Sequence, residues 1–186
     1  MSAVTALPWS RPLTRADLEQ MPDDGHRYEL LDGVLIVSPA PRPLHQRAAG
    51  RIFMQLTEAC PAGLEVFTAP LDVVLADDTV LEPDVLVARQ SDLTDRDLPA
   101  VPLLAVEVLS PSSRRIDLLL KHSRLEAAGC PTYWIVDPDE PSLTAWELAD
   151  GTYVPVGTVT GTQPYAAAKP FPVTITPADL VSAARP

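Results

Sequence analysis

Across positions 103–109 seven consecutive residues carry a single polar side chain, Glu107, and no other stretch restricts the fold as tightly. A strand that is apolar on both faces belongs inside a sheet covered on both sides. Ser110-Pro111-Ser112-Ser113 then suits a turn into a helix cap, residues 114–128 read as a helix closed by Gly129, and residues 132–136 form another short apolar run. Strand, helix and strand in that order make a crossover unit whose two strands lie parallel.

The flanking segments fill in an α/β domain of mixed α+β character. Residues 1–13 hold Pro8 and Pro12 without periodicity and read as an irregular arm, ahead of a single domain over residues 14–186. Thr14 and Asp17 make a capping box that starts a short helix carrying Leu18 and Met21 and ending near Pro22. Two apolar runs, 28–31 and 34–38, meet at Asp32-Gly33, a strong hairpin signal. Leu44, Ala48, Ile52, Leu56 and Ala59 recur at intervals of three and four, which predicts an amphipathic helix over 43–59. Strands are expected over 65–75, 80–88 and 103–109, with a polar, acidic loop at 90–97. After Leu143 the pattern is that of hairpins, one turning at Asp150-Gly151, and a short helix follows Pro177. The expected architecture is a mixed β-sheet flanked by helices with additional β-hairpins. With 186 residues, 46% of them hydrophobic, the chain can bury one substantial core.

Composition narrows the function classes. A formal charge of −11 counts against broad nucleic-acid binding, which rests on Lys and Arg neutralising phosphates. Two local basic groups stand out against it, Arg42, Arg47 and Arg51, and Arg114, Arg115, Lys121 and Arg124; each is equally readable as a solvated helix face. Cys60 and Cys130 lack the spacing of a zinc site and are expected to be reduced and buried. No run approaches the ~20 apolar residues that cross a bilayer, and the N-terminus lacks the pattern of a secretory signal, so a cytoplasmic protein without membrane contact is expected. The serines of 110–113 lack a GxSxG elbow, which argues against a serine nucleophile.

Three residues carry the chemistry. An ionised Glu107 in so apolar a strand needs a basic partner or a metal ion, unless it sits at a strand end and points into water. Asp84 enters the apolar run 85–87 directly after Pro83; alone it reads equally as a turn acid, but two strands would each deliver one carboxylate. Mg²⁺ commonly uses one or two carboxylates with waters and phosphate oxygens. Lys121 stands one turn after Asp117, which fits a surface ion pair along a helix. Yet only Lys121 and Lys169 are lysines among the 14 Lys and Arg residues, so an ammonium was used here in a chain that prefers Arg.

The ordered set Tyr28-Glu29-Leu30-Leu31-Asp32-Gly33, His45, Glu82-Pro83-Asp84-Val85, Glu107-Val108-Leu109-Ser110-Pro111-Ser112-Ser113, Asp117, Lys121 and Tyr133-Trp134-Ile135-Val136-Asp137-Pro138 resembles the Uma-type putative restriction endonuclease family, within the PD-(D/E)XK nuclease superfamily. The resemblance spans roughly residues 14–180 and implies a restriction-endonuclease-like core with its site at the ends of the central strands. By position Asp84 is the Asp of the Pro-Asp motif and Glu107 the acid of the second motif. The wider superfamily carries its lysine two residues after that acid, where this chain has Leu109; Lys121 matches the place to which the family moves it. Glu29 matches a further acid that completes the metal shell or orients a water. Two positions depart from the family pattern, Leu125 where Tyr is usual and Thr132 where an acid is common.

The implied activity is phosphodiester hydrolysis in DNA, with Asp84, Glu107 and the Val108 carbonyl holding Mg²⁺ or Mn²⁺. Lys121 would steady the attacking water and the charge that develops on phosphorus. His45, Arg114 and Asp117 are the candidate substrate-side residues, although a lone His in the place of His45 is more often a surface or capping residue. Tyr133 and Trp134 fit base stacking less well than they fit a core strand. Cutting both strands would call for two copies, a homodimer. The alternative from another class is a non-catalytic interaction or DNA-binding protein that keeps the fold, which the acidic total favours; a metal-dependent hydrolase of another substrate is a third.

Overall fold

The computed structural model describes residues 10–111 and 113–182. Residues 1–9 of the expected arm, Ser112 of the turn before the crossover helix, and residues 183–186 lie outside the described residues. The described chain opens on the capped turn α1 (Arg15–Leu18), where the Asp17 carboxylate accepts the Thr14 N–H at 2.8 Å; Met21 falls beyond the turn. Leu13, buried just upstream, donates its N–H to the Gly33 carbonyl at 2.9 Å and fastens the end of the arm to the following hairpin. That hairpin pairs β1 (Arg27–Leu31) with β2 (Val34–Ser38), and Asp32 and Gly33 take φ of 53° and 73°. Successive positive φ values match the right-handed twist of the flanking strands.

Helix α2 (Pro43–Ala59) buries His45, Ala48, Ile52 and Leu56 along the face that its spacing predicts. Then the chain departs from expectation. The runs 65–75 and 80–88 each divide, into β3 (Leu64–Thr68) and β4 (Val73–Ala76), and into β5 (Thr79–Leu81) and β6 (Val85–Arg89). Pro70 and Pro83 fall in the two gaps, have no N–H for a ladder, and let the chain pass from one sheet to the other.

The crossover unit forms as expected. β7 (Leu104–Val108) and β8 (Thr132–Asp137) are parallel, with Glu107 opposite Ile135. Between them the expected regular helix is π-helical over Ile116–Lys121 before it continues as α3 (His122–Ala128), which Gly129 closes at φ 85°. Tyr133 on β8 donates its hydroxyl to the Asp117 carbonyl of the widened turn at 3.0 Å. β9 (Ser142–Ala149) and β10 (Thr152–Thr160) make the next hairpin, and β11 (Tyr165–Ala167), β12 (Val173–Ile175) and α4 (Pro177–Val181) follow.

Two sheets position the site. The larger runs β10-β9-β8-β7-β6-β3 and is antiparallel except at β7 and β8; the smaller runs β2-β1-β5-β4. On one face of the larger sheet α2 packs onto Val85, Val87, Leu104, Val106 and Trp134. On the other face Leu125 of α3 packs with Ala105, Leu109, Tyr133 and Ile135. Tyr133 and Trp134 are fully buried, so they serve the core. Cys130 is buried as expected, but Cys60 at the end of α2 is only partly so. Leu125 and Thr132, the two departures from the family pattern, are both buried.

Candidate active site

Strand periodicity decides where Glu107 goes. In β7, Leu104, Val106 and Val108 face the α2 layer, while Ala105 and Leu109 face the crossover helix; Glu107 shares the second parity. It therefore meets the π-helical turn. There the Lys121 ammonium, 1% exposed, lies 3.0 Å from Glu107 Oε1, 2.7 Å from Glu29 Oε1 and 3.8 Å from Asp117 Oδ1. The pair expected between Asp117 and Lys121 thus exists, but inside the protein rather than on a helix surface. The ammonium donates a hydrogen bond to Glu107, and Asp117, at 3.8 Å, adds its charge without one.

Glu29 arrives from β1 and also accepts the Glu82 N–H at 2.8 Å, which ties the smaller sheet to the Glu82-Pro83-Asp84 gap. Asp84 stands at that gap. Its Oδ2 accepts the Val108 N–H at 2.8 Å and lies 3.1 Å from His45 Nε2, and its Oδ1 accepts from Arg27 Nη1 at 2.8 Å. Arg27 also lies 3.6 Å from Glu29 through its Nε. The structure therefore brings together Asp84, Glu107, Lys121, Glu29, His45 and Asp117. Arg114 is elsewhere: its guanidinium is half exposed and bonds Asp137 at 2.5 Å.

Burial and charge push these groups in different directions. Desolvation works against an ionised Asp84, but the hydrogen bond and charge of His45 and the charge of Arg27 outweigh it and hold the carboxyl below the usual range. Desolvation dominates at Glu107 and raises its pKa well above the ordinary value, against the pull of Lys121. Asp117 is raised to about 6 and Glu82 to about 7, both mainly by burial. Lys121 is held protonated despite its own burial by Glu107, Glu29 and Asp117.

These residues fit a divalent cation. Among the described residues five buried carboxyl groups, Glu29, Glu82, Asp84, Glu107 and Asp117, meet only Arg27 and Lys121 as permanent cations, an excess of negative charge that a cation or protons must balance. Glu107 Oε2 is buried with no hydrogen-bond partner, as a ligand atom would be. A strand residue turns its N–H and C=O to the same edge, so the Val108 carbonyl opens on the edge where its N–H meets Asp84. Among the described residues no three His, Cys, Asp or Glu side chains are placed to enclose an ion.

Arg27 was not singled out from sequence, and Glu82 entered there only as part of the Pro-Asp motif, without a role. Arg27 had a usable signal, because it stands two residues before Glu29 and so shares its face of β1. Glu82 immediately precedes the Pro-Asp pair. The solvent side of the cluster is a cleft of about 700 Å³ reached by Arg27, Arg42, His45, Glu82 and Asp84. Lys121, Glu107 and Glu29 lie behind it, each 1% exposed.

Comparison with known proteins places these features in context. The family model described as Putative restriction endonuclease, Uma2, matches residues 15–180. Among solved structures, the crystal structure of a putative nuclease belonging to DUF820 from Anabaena variabilis superposes with a TM-score of 0.70 at 18% identity, over 91% of this chain and 98% of that one. At that identity the likeness establishes the shared fold. No curated protein sequence matches the chain.

Proposed function

The chain belongs to the Uma2 family of putative restriction endonucleases, and from that premise we propose that its buried cluster hydrolyses phosphodiester bonds in DNA with Mg²⁺ or Mn²⁺. The observation that carries the reading is Lys121: a fully buried ammonium placed 3.0 Å from Glu107 and 2.7 Å from Glu29, beside an Asp84 that is anchored to Val108. Asp84, Glu107 and the Val108 carbonyl would hold the cation. When bound, the ion polarises a phosphoryl oxygen and lowers the pKa of a water.

The protein's own groups do the remainder. Asp84 stays ionised over the working pH range because His45 and Arg27 stabilise its charge. Glu29 and Glu107 fix the ammonium of Lys121 from two sides, so it presents its charge without reorganising as negative charge grows on phosphorus. His45 and Arg27 line the cleft and engage Asp84, so they hold that carboxylate in place where a phosphate would enter. A purely structural role explains less, because burying so many carboxylates around one lysine does little for stability by itself.

The test is incubation of the protein and its Asp84→Ala variant with supercoiled plasmid, linear duplex and single-stranded DNA in Mn²⁺ or Mg²⁺ at low salt. Cleavage by the parent alone is expected. Equal cleavage by both proteins removes Asp84 from the chemistry, and the absence of cleavage on every substrate, together with no metal binding, overturns the reading in favour of a non-catalytic protein.

A further inference from the structure

We propose that the site takes its nucleic acid as a single strand, an unpaired stretch or a frayed end, rather than as an intact duplex; this rests on the phosphodiesterase reading of the same cleft. The first support is the scarcity of cations. Among the described residues only two guanidiniums line the cleft, Arg27 and Arg42, against the carboxyl groups of Asp23, Glu82 and Asp84. Arg27 is engaged with Asp84 and Arg42 with Asp139 at 2.7 Å.

Three neighbouring arginines are turned to partners outside the cleft, and the exposed Arg115 does not line it. Arg47 and Arg51, one and two turns further along α2, bond backbone oxygens of Val181 and Asp179 at the end of the chain, and Arg114 bonds Asp137. Proteins that grip duplex DNA commonly neutralise about 6–10 phosphates. This cleft can meet about two by guanidinium, and the −11 total opposes the remainder of a duplex lying across the surface.

The second support is how a phosphate would be held instead. Helix α2 starts with Pro43 at its first turn and has no side-chain cap, and Arg42, His45 and Gln46 from that end line the cleft. Pro43 has no N–H and the Gln46 N–H bonds the Arg42 carbonyl at 3.1 Å, so this helix start offers at most the N–H groups of Leu44 and His45, enough for one anion and not a row of them. Beside them His45 is only 8% exposed, and its Nδ1 is buried without a partner while Nε2 faces Asp84.

The third support is the shape and chemistry of the walls. About 700 Å³ is the size of pockets that enclose small ligands, within roughly 300–1,000 Å³. Pro39, Ala40 and Pro41 line it together with Ala69 and Pro70. Small apolar surfaces offer contact to the face of an unstacked base, whereas a duplex keeps those faces inside its stack and presents phosphate outward.

The test measures binding apart from cleavage, with end-labelled 12-mers of single-stranded DNA, single-stranded RNA and blunt duplex DNA, by fluorescence anisotropy in Ca²⁺ across a salt series. A single strand should bind about tenfold or more tighter than the duplex, with a slope of log affinity on log salt near −1.4, as about two contacts give on a single strand. Arg42→Gln should flatten that slope by about 0.7. The DNA and RNA arms report which backbone the cleft prefers. Duplex binding as tight as that of either single strand, a slope steeper than about −3, or no binding of any oligonucleotide overturns the proposal. Plasmid cleavage lost on Asp84→Ala would leave the phosphodiesterase reading standing in each of those cases.

Discussion

Replacing Lys121 with Met removes one charge from the interior with little change in side-chain length, and its cost can be worked from the contacts. The ammonium faces Glu29 at 2.7 Å, Glu107 at 3.0 Å and Asp117 at 3.8 Å, all buried. Removing one partner of a buried ion pair costs about 3–5 kcal/mol, because the remaining charge is left uncompensated. At about 2–4 °C per kcal/mol for a chain of this size, Tm in EDTA should fall by roughly 6–20 °C at pH 8. The sign of the pH dependence follows from the acids. A carboxyl raised in the folded state keeps a proton that the unfolded chain has released, so stability is lost as pH rises from the ordinary value through the raised one. Asp117 is already raised to about 6 and Glu107 well above its usual value, and without Lys121 both move higher. The penalty should therefore be small at pH 5, where these groups hold protons, and full at pH 8. Differential scanning fluorimetry at both pH values decides it. A shift that is equal at pH 5 and pH 8, or a variant as stable as the parent at pH 8, refutes the assignment of Lys121 as the counter-ion of the cluster.

Tyr133→Phe deletes only the hydroxyl that holds the Asp117 carbonyl, so stability should fall by about 0.5–1.5 kcal/mol in urea titration. Under the nuclease reading kcat should drop far more than KM changes, and an unchanged kcat would show that this contact does not position Lys121. Gly33→Ala meets both a φ of 73° and a Cβ placed 2.4 Å from Pro12 Cβ. A loss of at least about 1–2 kcal/mol is expected in the same titration, and a neutral outcome would contradict the close packing of the arm on the hairpin. Ile52→Ala empties the centre of the α2 interface, where the side chain is fully buried, and should cost about 2–5 kcal/mol; a loss under about 1 kcal/mol would mean that α2 is not the lid of the main core.

Local signals made most of the fold legible. Asp32-Gly33, the four-residue spacing along α2 and the Gly129 cap all act within a few residues, and each element formed where it was expected. The strands at 65–75 and 80–88 did not, because hydrophobicity continues across Pro70 and Pro83 while the ladder cannot. A pattern of apolar residues records burial, not which sheet supplies it. The π-helical turn has no such signal, since its carbonyl partner is Tyr133, on a strand that follows it. In the site, the need of Glu107 for a cation was readable from its apolar neighbours, whereas the bond from Arg27 to Asp84 joins residues 57 positions apart in different elements. Arg114 fails as a cleft residue for a related reason: proximity in sequence to Ser113, which lines the cleft, does not decide which way a long side chain turns, and Asp137 captures it.

Leu109 explains why the ammonium comes from the helix. Just past the end of β7 it lies two residues after Glu107 and on the same face, so a lysine there would reach the neighbourhood of the acid from the sheet side. In this chain that place is committed to packing, with Leu109 3% exposed against Leu125 and Tyr133. The crossover helix covers that same face, and a side chain descending from it enters the space from the opposite side. Position relative to the two acids, not spacing along the strand, is what a charge at that point requires. The lysine thus comes from a turn whose Asp117 N–H bonds the Ser113 carbonyl and whose Asp117 carbonyl accepts the hydroxyl of Tyr133, a residue that is fully buried and stacked on Tyr153 with ring planes 15° apart. The aromatic layer under α3 thereby helps support the lysine, and substitutions within it should reach the site through the Asp117 carbonyl.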